Sequence, residues 1–149
     1  MNIRKVLPKE SLSISLQARD KSGIIEELVE LINRTGRLQD RKSVLKSILD
    51  REKKMSTAMH HGLAIPHGKT GTVDTILAAV GLIPEGVDFD SQDGEPSKIF
   101  VLTVSPINRS GPHIQFLAEV SRLLTKPDIR DEILAASSEE DVYTILTSR

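Results

Sequence analysis

The chain has 149 residues, enough to bury one independent core, and its 20 Lys and Arg nearly cancel its 21 Asp and Glu, for a formal net charge of −1. No global field therefore draws it onto nucleic acid or an anionic membrane, and with three Phe, one Tyr and no Trp it lacks the platforms that stack single-stranded bases. The absence of Cys excludes a disulfide framework, a thiolate nucleophile and a cysteine-type zinc site, and it fits a reducing compartment.

The opening, Met1-Asn2-Ile3-Arg4-Lys5-Val6-Leu7-Pro8, meets charge and proline too soon for a signal peptide. No apolar run approaches the ~20 residues of a membrane span, so the expectation is a cytoplasmic protein without direct membrane insertion. Ser13-Ile14-Ser15-Leu16-Gln17-Ala18 alternates polar and apolar residues and predicts a half-buried strand. Asp20 is placed to cap a helix running to about Arg34, with Ile24, Ile25, Leu28, Leu31 and Ile32 on one face and Gly36 past its end. Asp40 repeats the device before a second helix with Val44, Leu45, Ile48 and Leu49 as its stripe and Arg51, Lys53 and Lys54 in its last turn, where cations suit the dipole.

Leu63-Ala64-Ile65 then reads as a short buried strand ended by Pro66, leaving His67 on a stiff loop where Gly68 lets another molecule approach the backbone. Thr75 to Ile83, closed by Pro84-Glu85-Gly86, and Ile99 to Val104, closed by Ser105-Pro106, are apolar on both faces and predict central strands covered by helices on each side. Between them Asp88 to Glu95 is acidic but lacks the ligand spacing of a calcium loop and reads as a solvated turn. Ile114, Leu117, Ala118, Val120, Ser121 and Leu124 mark a further helix, Pro127 opens another, and Ser138 with Asp141 resembles a capping box before Val142 and Ile145. The order reads as one α/β sandwich spanning residues 1–149.

Of the four histidines, His60, His61 and His67 fall within eight residues, and His113 follows Gly111-Pro112. Imidazole serves as a base, a metal ligand or a nucleophile that carries a phosphoryl group. No Gly-x-Ser-x-Gly elbow and no Walker or Rossmann glycine loop occurs, so a phosphoryl group reaching His67 has to come from another phosphoprotein and not from a bound nucleotide. Such a transfer needs an unprotonated ring nitrogen facing outward and donors for the phosphate oxygens. Arg51, Ser56, Thr57, the loop amides and His113 are candidates for the donors. Each has a structural alternative: a helix end for Arg51, a turn for Ser56 and Thr57, a cap for His113.

Arg51-Glu52-Lys53-Lys54-Met55-Ser56-Thr57, followed by Gly62-Leu63-Ala64-Ile65-Pro66-His67-Gly68-Lys69, resembles the active-site signature of enzyme IIA domains of the bacterial phosphotransferase system, in the fructose/mannitol class that includes nitrogen-regulatory proteins. Gly86-Val87-Asp88-Phe89, Asp93-Gly94-Glu95-Pro96 and His113-Ile114 leading into Leu117 to Leu124 extend the likeness, which covers the chain from about Leu7 to its end. The resemblance implies a single-domain, three-layer α/β/α sandwich with a mixed central sheet. It implies a phosphotransferase component, phosphorylated on Nε2 of His67 by the histidine phosphocarrier protein, with no cofactor and no metal. The second active-site histidine falls on His113 and the active-site arginine on Arg51. The phosphate would pass to a sugar-specific membrane component, or the phosphorylation state would be read by regulatory targets. The free-standing length points to the regulatory, nitrogen-type use. Where the family usually has Gly-Ile-Gly-Asn, this chain reads Ala58-Met59-His60-His61, which alters the rim of the site and bears on partner choice. Two readings of other classes stand beside this one: a metal-binding module built from the four histidines, and a degenerate protein-interaction domain.

Overall fold

The computed structural model describes residues 2–149. A short helix α1 (Ile3–Val6) and a 3₁₀ turn (Lys9–Ser11), neither evident from the sequence pattern, lead into β1 (Leu12–Ser13). The predicted strand over residues 13–18 forms only at this start, where Leu12 and Ser13 pair parallel with Val80 and Gly81. Beyond it one backbone bond to β4 remains, Leu16 N–H on Leu82 O at 3.0 Å, and carboxylates take further amides: Ile14 N–H donates to Glu139 at 3.0 Å, and the amides of Gln17 and Ala18 donate to Glu27 at 3.0 and 2.9 Å. The alternation survives in burial, with Leu12 and Leu16 both 1% exposed.

Helices α2 (Lys21–Asn33) and α3 (Arg41–Lys54) follow with the expected caps, Asp20 accepting from Gly23 N–H and Asp40 from Ser43 N–H. Then come β2 (Leu63–Ala64), β3 (His67–Thr70), β4 (Leu77–Val87) and β5 (Ser97–Pro106), and the helices α4 (Gly111–Leu124), α5 (Pro127–Leu134) and α6 (Glu139–Ser148). β5 is the axis of the sheet. It pairs antiparallel with β4 on one side and parallel with β2 and β3 on the other, and β1 closes the far edge on β4. β2 and β3 keep one register on β5, Leu63 opposite Ile99 and His67 opposite Thr103, so Pro66 removes a ladder donor without displacing the chain. His67 thus begins a strand and does not sit in a loop.

Side-chain alternation divides the core into two layers. Ala78, Val80 and Leu82 of β4 with Ile99 and Val101 of β5 face α4, α5 and α6, whereas Leu77, Ala79 and Ile83 with Phe100, Leu102 and Val104 face α2 and α3. This is the expected three-layer sandwich with a mixed sheet. Two boundaries differ from the sequence reading. β4 runs through Pro84 to Val87, because the register shifts between Leu82 and Val87 and the proline lies where no ladder amide is needed. On α4 the buried stripe is His113, Phe116, Val120, Leu123 and Leu124, while Ile114 is 63% exposed and Ala118 and Ser121 face solvent. The two candidate stripes share Val120 and Leu124, and burial follows the larger Phe116.

Candidate active site

Residues 57–65 form a small hairpin at the entrance to β3. Ile65 N–H donates to Thr57 O at 3.1 Å, Met59 N–H to Leu63 O at 2.7 Å, and Ala58 bridges Ala64 antiparallel. Its turn is His61-Gly62, at φ +64° and +76°, closed by Leu63 N–H on His60 O. Two successive residues at positive φ are what a type I′ hairpin requires, a geometry easy for Gly62 and costly for His61. From this hairpin the chain passes through Pro66 into β3, where the alternation points His67 and Lys69 toward α4 and Gly68 and Thr70 toward α3. A Cβ on Gly68 would lie 2.6 Å from Ser47 Oγ and 2.9 Å from Ile48 N, so the element that approaches this glycine is the chain's own α3, not a partner molecule.

The His67 ring is half-buried, and its Nδ1 lies 2.9 Å from the carbonyl oxygen of Ile65. A carbonyl only accepts, so this bond places the proton on Nδ1 and leaves the lone pair of a neutral ring on Nε2. His113, on the first turn of α4, is 9% exposed, and its ring centroid is 5.3 Å from that of His67 with the planes tilted by 40°. Its Nδ1 is 3.3 Å from Thr103 Oγ1, the strand residue in register with His67. Burial, and then the charges of His67 and Lys69, push the His113 pKa below its ordinary value, keeping this imidazole neutral at pH 7.

The other sequence candidates take different places. Arg51 is half-buried in the last turn of α3, one turn beyond Ser47, and its Nη1 donates to Met55 O at 2.7 Å, leaving further donors of the guanidinium fork for another partner. Ser56 and Thr57 do not offer their hydroxyls to His67. Ser56 Oγ donates to Phe89 O at 2.7 Å, and the buried Thr57 donates its hydroxyl to Glu52. Both hydroxyls hold the segment between α3 and the hairpin and neither bonds to the histidine pair, so this geometry lends no support to their expected role as phosphate ligands. His60 and His61 lie at the exposed hairpin tip with ring centroids 6.2 Å apart, and His61 N–H donates to Asp93 at 3.1 Å. Among the described residues no three His, Asp or Glu side chains converge as a metal cage.

Three contributors escaped the sequence reading. Thr103 and Lys69 reach the histidine pair only through the β3–β5 register and the strand alternation. Glu52 had a signal, since Val44, Ile48 and Glu52 recur at i, i+4 and i+8, and the third member of a buried stripe is a carboxylate.

Comparison with known proteins agrees with this fold. The family described as "Phosphoenolpyruvate-dependent sugar phosphotransferase system, EIIA 2" matches residues 5–149. The chain is 34% identical over 145 residues to the fructose-specific EIIA component of the phosphotransferase system of Haloferax volcanii, covering 97% of this chain and 94% of that protein. It is 32% identical over 146 residues to the fructose-specific EIIABC component of Bacillus subtilis, covering 98% of this chain but only 23% of that longer protein. Among solved structures, the nitrogen regulatory protein IIA-Ntr from Neisseria meningitidis superposes with a TM-score of 0.89 at 30% identity, over 97% of this chain and 99% of that one. No helix of the described residues is long and apolar enough to cross a membrane. A family match over nearly the whole length, joined to a near-complete superposition, establishes that the chain belongs to the type 2 enzyme IIA family of the phosphoenolpyruvate-dependent sugar phosphotransferase system.

Proposed function

We propose that this chain is a phosphohistidine carrier whose nucleophile is Nε2 of His67. The observation that carries the reading is the 2.9 Å bond from Nδ1–H of His67 to Ile65 O, which fixes the one tautomer with an outward lone pair on Nε2. In the transfer, Nε2 bonds to phosphorus as the bond from phosphorus to the donor's histidine nitrogen breaks, and the donor ring leaves with that electron pair. No proton has to move, because the one on Nδ1 stays against the Ile65 carbonyl and steadies the ring as positive charge develops. His113, neutral and 5.3 Å away between ring centroids, donates a ring N–H to a phosphate oxygen. Arg51 supplies the charged donors.

The donor in this reading is the phosphorylated histidine phosphocarrier protein. The acceptor is either a cysteine of a sugar-specific component, as the fructose-specific relatives suggest, or none, as the likeness to IIA-Ntr suggests for a regulator read by its phosphorylation state. Incubation with phosphoenolpyruvate, the first enzyme of the system and the phosphocarrier is expected to give an acid-labile adduct that His67→Ala abolishes. Label that persists in that variant, or that arrives from ATP alone, refutes the assignment. Adding a fructose-type IIB domain separates the two uses: discharge onto its cysteine marks transport, and retention marks regulation.

A further inference from the structure

A buried carboxylate outside the histidine pair is linked to it by an unbroken series of hydrogen bonds. Glu52, 7% exposed on the last turn of α3, takes Lys21 Nζ at 2.9 Å and Thr57 N–H at 3.0 Å on one oxygen and the Thr57 hydroxyl on the other. Thr57 in turn presents its carbonyl to Ile65 N–H at 3.1 Å, and the carbonyl of the same Ile65 accepts from His67 Nδ1 at 2.9 Å. Pro66, with its ring-fixed φ, stands between Ile65 and His67 and gives this stretch little freedom to compensate. Lys21 is held on its other sides by Asp90 at 3.2 Å and by the face of Phe89, 4.9 Å from the ring centroid. Ser56 ties to the same Phe89 through its carbonyl. The ion pair at the head of the series is therefore anchored in α2, α3 and the loop after β4 together.

We propose that Glu52 is a positioning residue for the transfer: by gripping both donors of Thr57 it sets the base of the 57–65 hairpin, and so aims the Ile65 carbonyl that selects the Nδ1–H tautomer of His67. The reasoning is geometric. Neither Glu52 nor Thr57 reaches the phosphoryl group. A free imidazole in water is under no such selection, so a carbonyl that drifts from Nδ1 lets the proton populate Nε2 and removes the nucleophilic lone pair from part of the molecules. The proposal rests on the carrier reading for its consequence, but its structural half is read without any phosphate.

The test uses the whole chain and two readouts, the ring-nitrogen NMR pattern of His67 in the unphosphorylated protein and the rate of phosphoryl acceptance from the phosphocarrier. The wild-type ring is expected in the Nδ1–H form. Glu52→Gln keeps an acceptor for Thr57 N–H and a donor for its hydroxyl, and is expected to keep both tautomer and rate. Glu52→Ala is expected to give a tautomer mixture and a rate lower by about three- to ten-fold, the effect of one hydrogen bond's worth of orientation. Should that variant fail to fold, the double variant Lys21→Met with Glu52→Leu replaces the pair by apolar side chains of similar size, which tends to preserve stability while leaving Thr57 N–H without its acceptor. The same tautomer mixture is expected there. A folded variant lacking the carboxylate that retains the pure Nδ1–H form and the wild-type rate overturns the proposal. A wild-type chain that accepts no phosphate refutes the carrier reading alone, because the tautomer still reports on the positioning.

Discussion

Gly68→Ala is the substitution whose effect the structure allows to be worked from contacts. The added Cβ would sit 2.6 Å from Ser47 Oγ and 2.9 Å from Ile48 N, both closer than real Cβ atoms tolerate, and 3.0 Å from Ile48 Cγ1, at the tight limit. Ser47 could rotate away only by giving up its bond to Val44 O at 2.8 Å. The Ile48 nitrogen belongs to the helix backbone, so relief there means moving α3 away from β3 by several tenths of an ångström. That motion carries Arg51, one turn further along, away from the strand that holds His67. Overpacking of this kind costs about 1–3 kcal/mol, and with backbone as the obstacle we expect the upper half of that range. For a chain of this size the loss corresponds to a fall of roughly 4–10 °C in the thermal midpoint. Phosphoryl acceptance should fall as well, since Arg51 and His67 lie on the two elements being separated. Circular dichroism melts and labelling rates measure both. Adding Ser47→Ala should restore less than half of the lost stability, because it removes the hydroxyl and leaves the Ile48 contact. An unchanged midpoint in the single variant, or full recovery in the double, would show that α3 is not seated against β3 as described.

Two further outcomes follow from the same coordinates. The pKa of His113 is lowered in the folded chain from an ordinary 6.5 by burial and by His67 and Lys69, so below pH 6.5 the unfolded chain binds a proton that the folded one refuses; stability should fall with pH from 6.5 down to the depressed value, and His113→Gln should remove that part of the slope in melts recorded across the window. His61 holds φ +64° at the hairpin turn, so His61→Gly or His61→Asn should stabilise the chain by about 1 kcal/mol in urea unfolding, and a loss instead would mean that the bond to Asp93 depends on the histidine.

Local signals carried much of the fold into the sequence because they act within a few residues. Asp20, Asp40 and Ser138 each accept the amide that their helix leaves unpaired, and the apolar runs in β4 and β5 could only be central strands. What escaped depended on partners distant in the chain. Residues 14–18 have the alternation of a strand, yet the amides of Ile14, Gln17 and Ala18 go to Glu139 and Glu27, carboxylates that no local pattern connects with them, and only Leu16 N–H still reaches β4, at Leu82 O. The face of α4 was ambiguous because two stripes fit the helical period, and only the position of Phe116 over the sheet decides between them. At the site, the pairing of His67 with His113 was legible through residue type and motif. The hydrogen-bond partners of Ser56 and Thr57 were not, since a hydroxyl in a signature segment looks the same whether it faces open space or a buried Glu52.

The hairpin explains how a chain can depart from the resemblance at Ala58-Met59-His60-His61 and keep the bond that orients His67. Its base is fixed twice, by Glu52 on Thr57 and by the pairing of β2 and β3 with β5, and these fixings aim the Ile65 carbonyl at His67. Its tip is held differently, by a turn at positive φ, by the His61 amide on Asp93 and by the Gly62 carbonyl, which accepts from the amides of Lys98 and Ile99 at 2.8 and 2.9 Å, bonds that do not depend on the side chain at residue 60 or 61. Where the family usually has Asn before the glycine, the type I′ turn is easily made. The same turn persists here with His61, and the strain is confined to the tip because the bonds between Met59 and Leu63 and between Thr57 and Ile65 are still made. Side chains at residues 60 and 61 therefore face solvent beside the site without bearing on the tautomer of His67. The side chains at the exposed tip of the hairpin are free to vary, while the base that orients His67 is held by groups buried behind it.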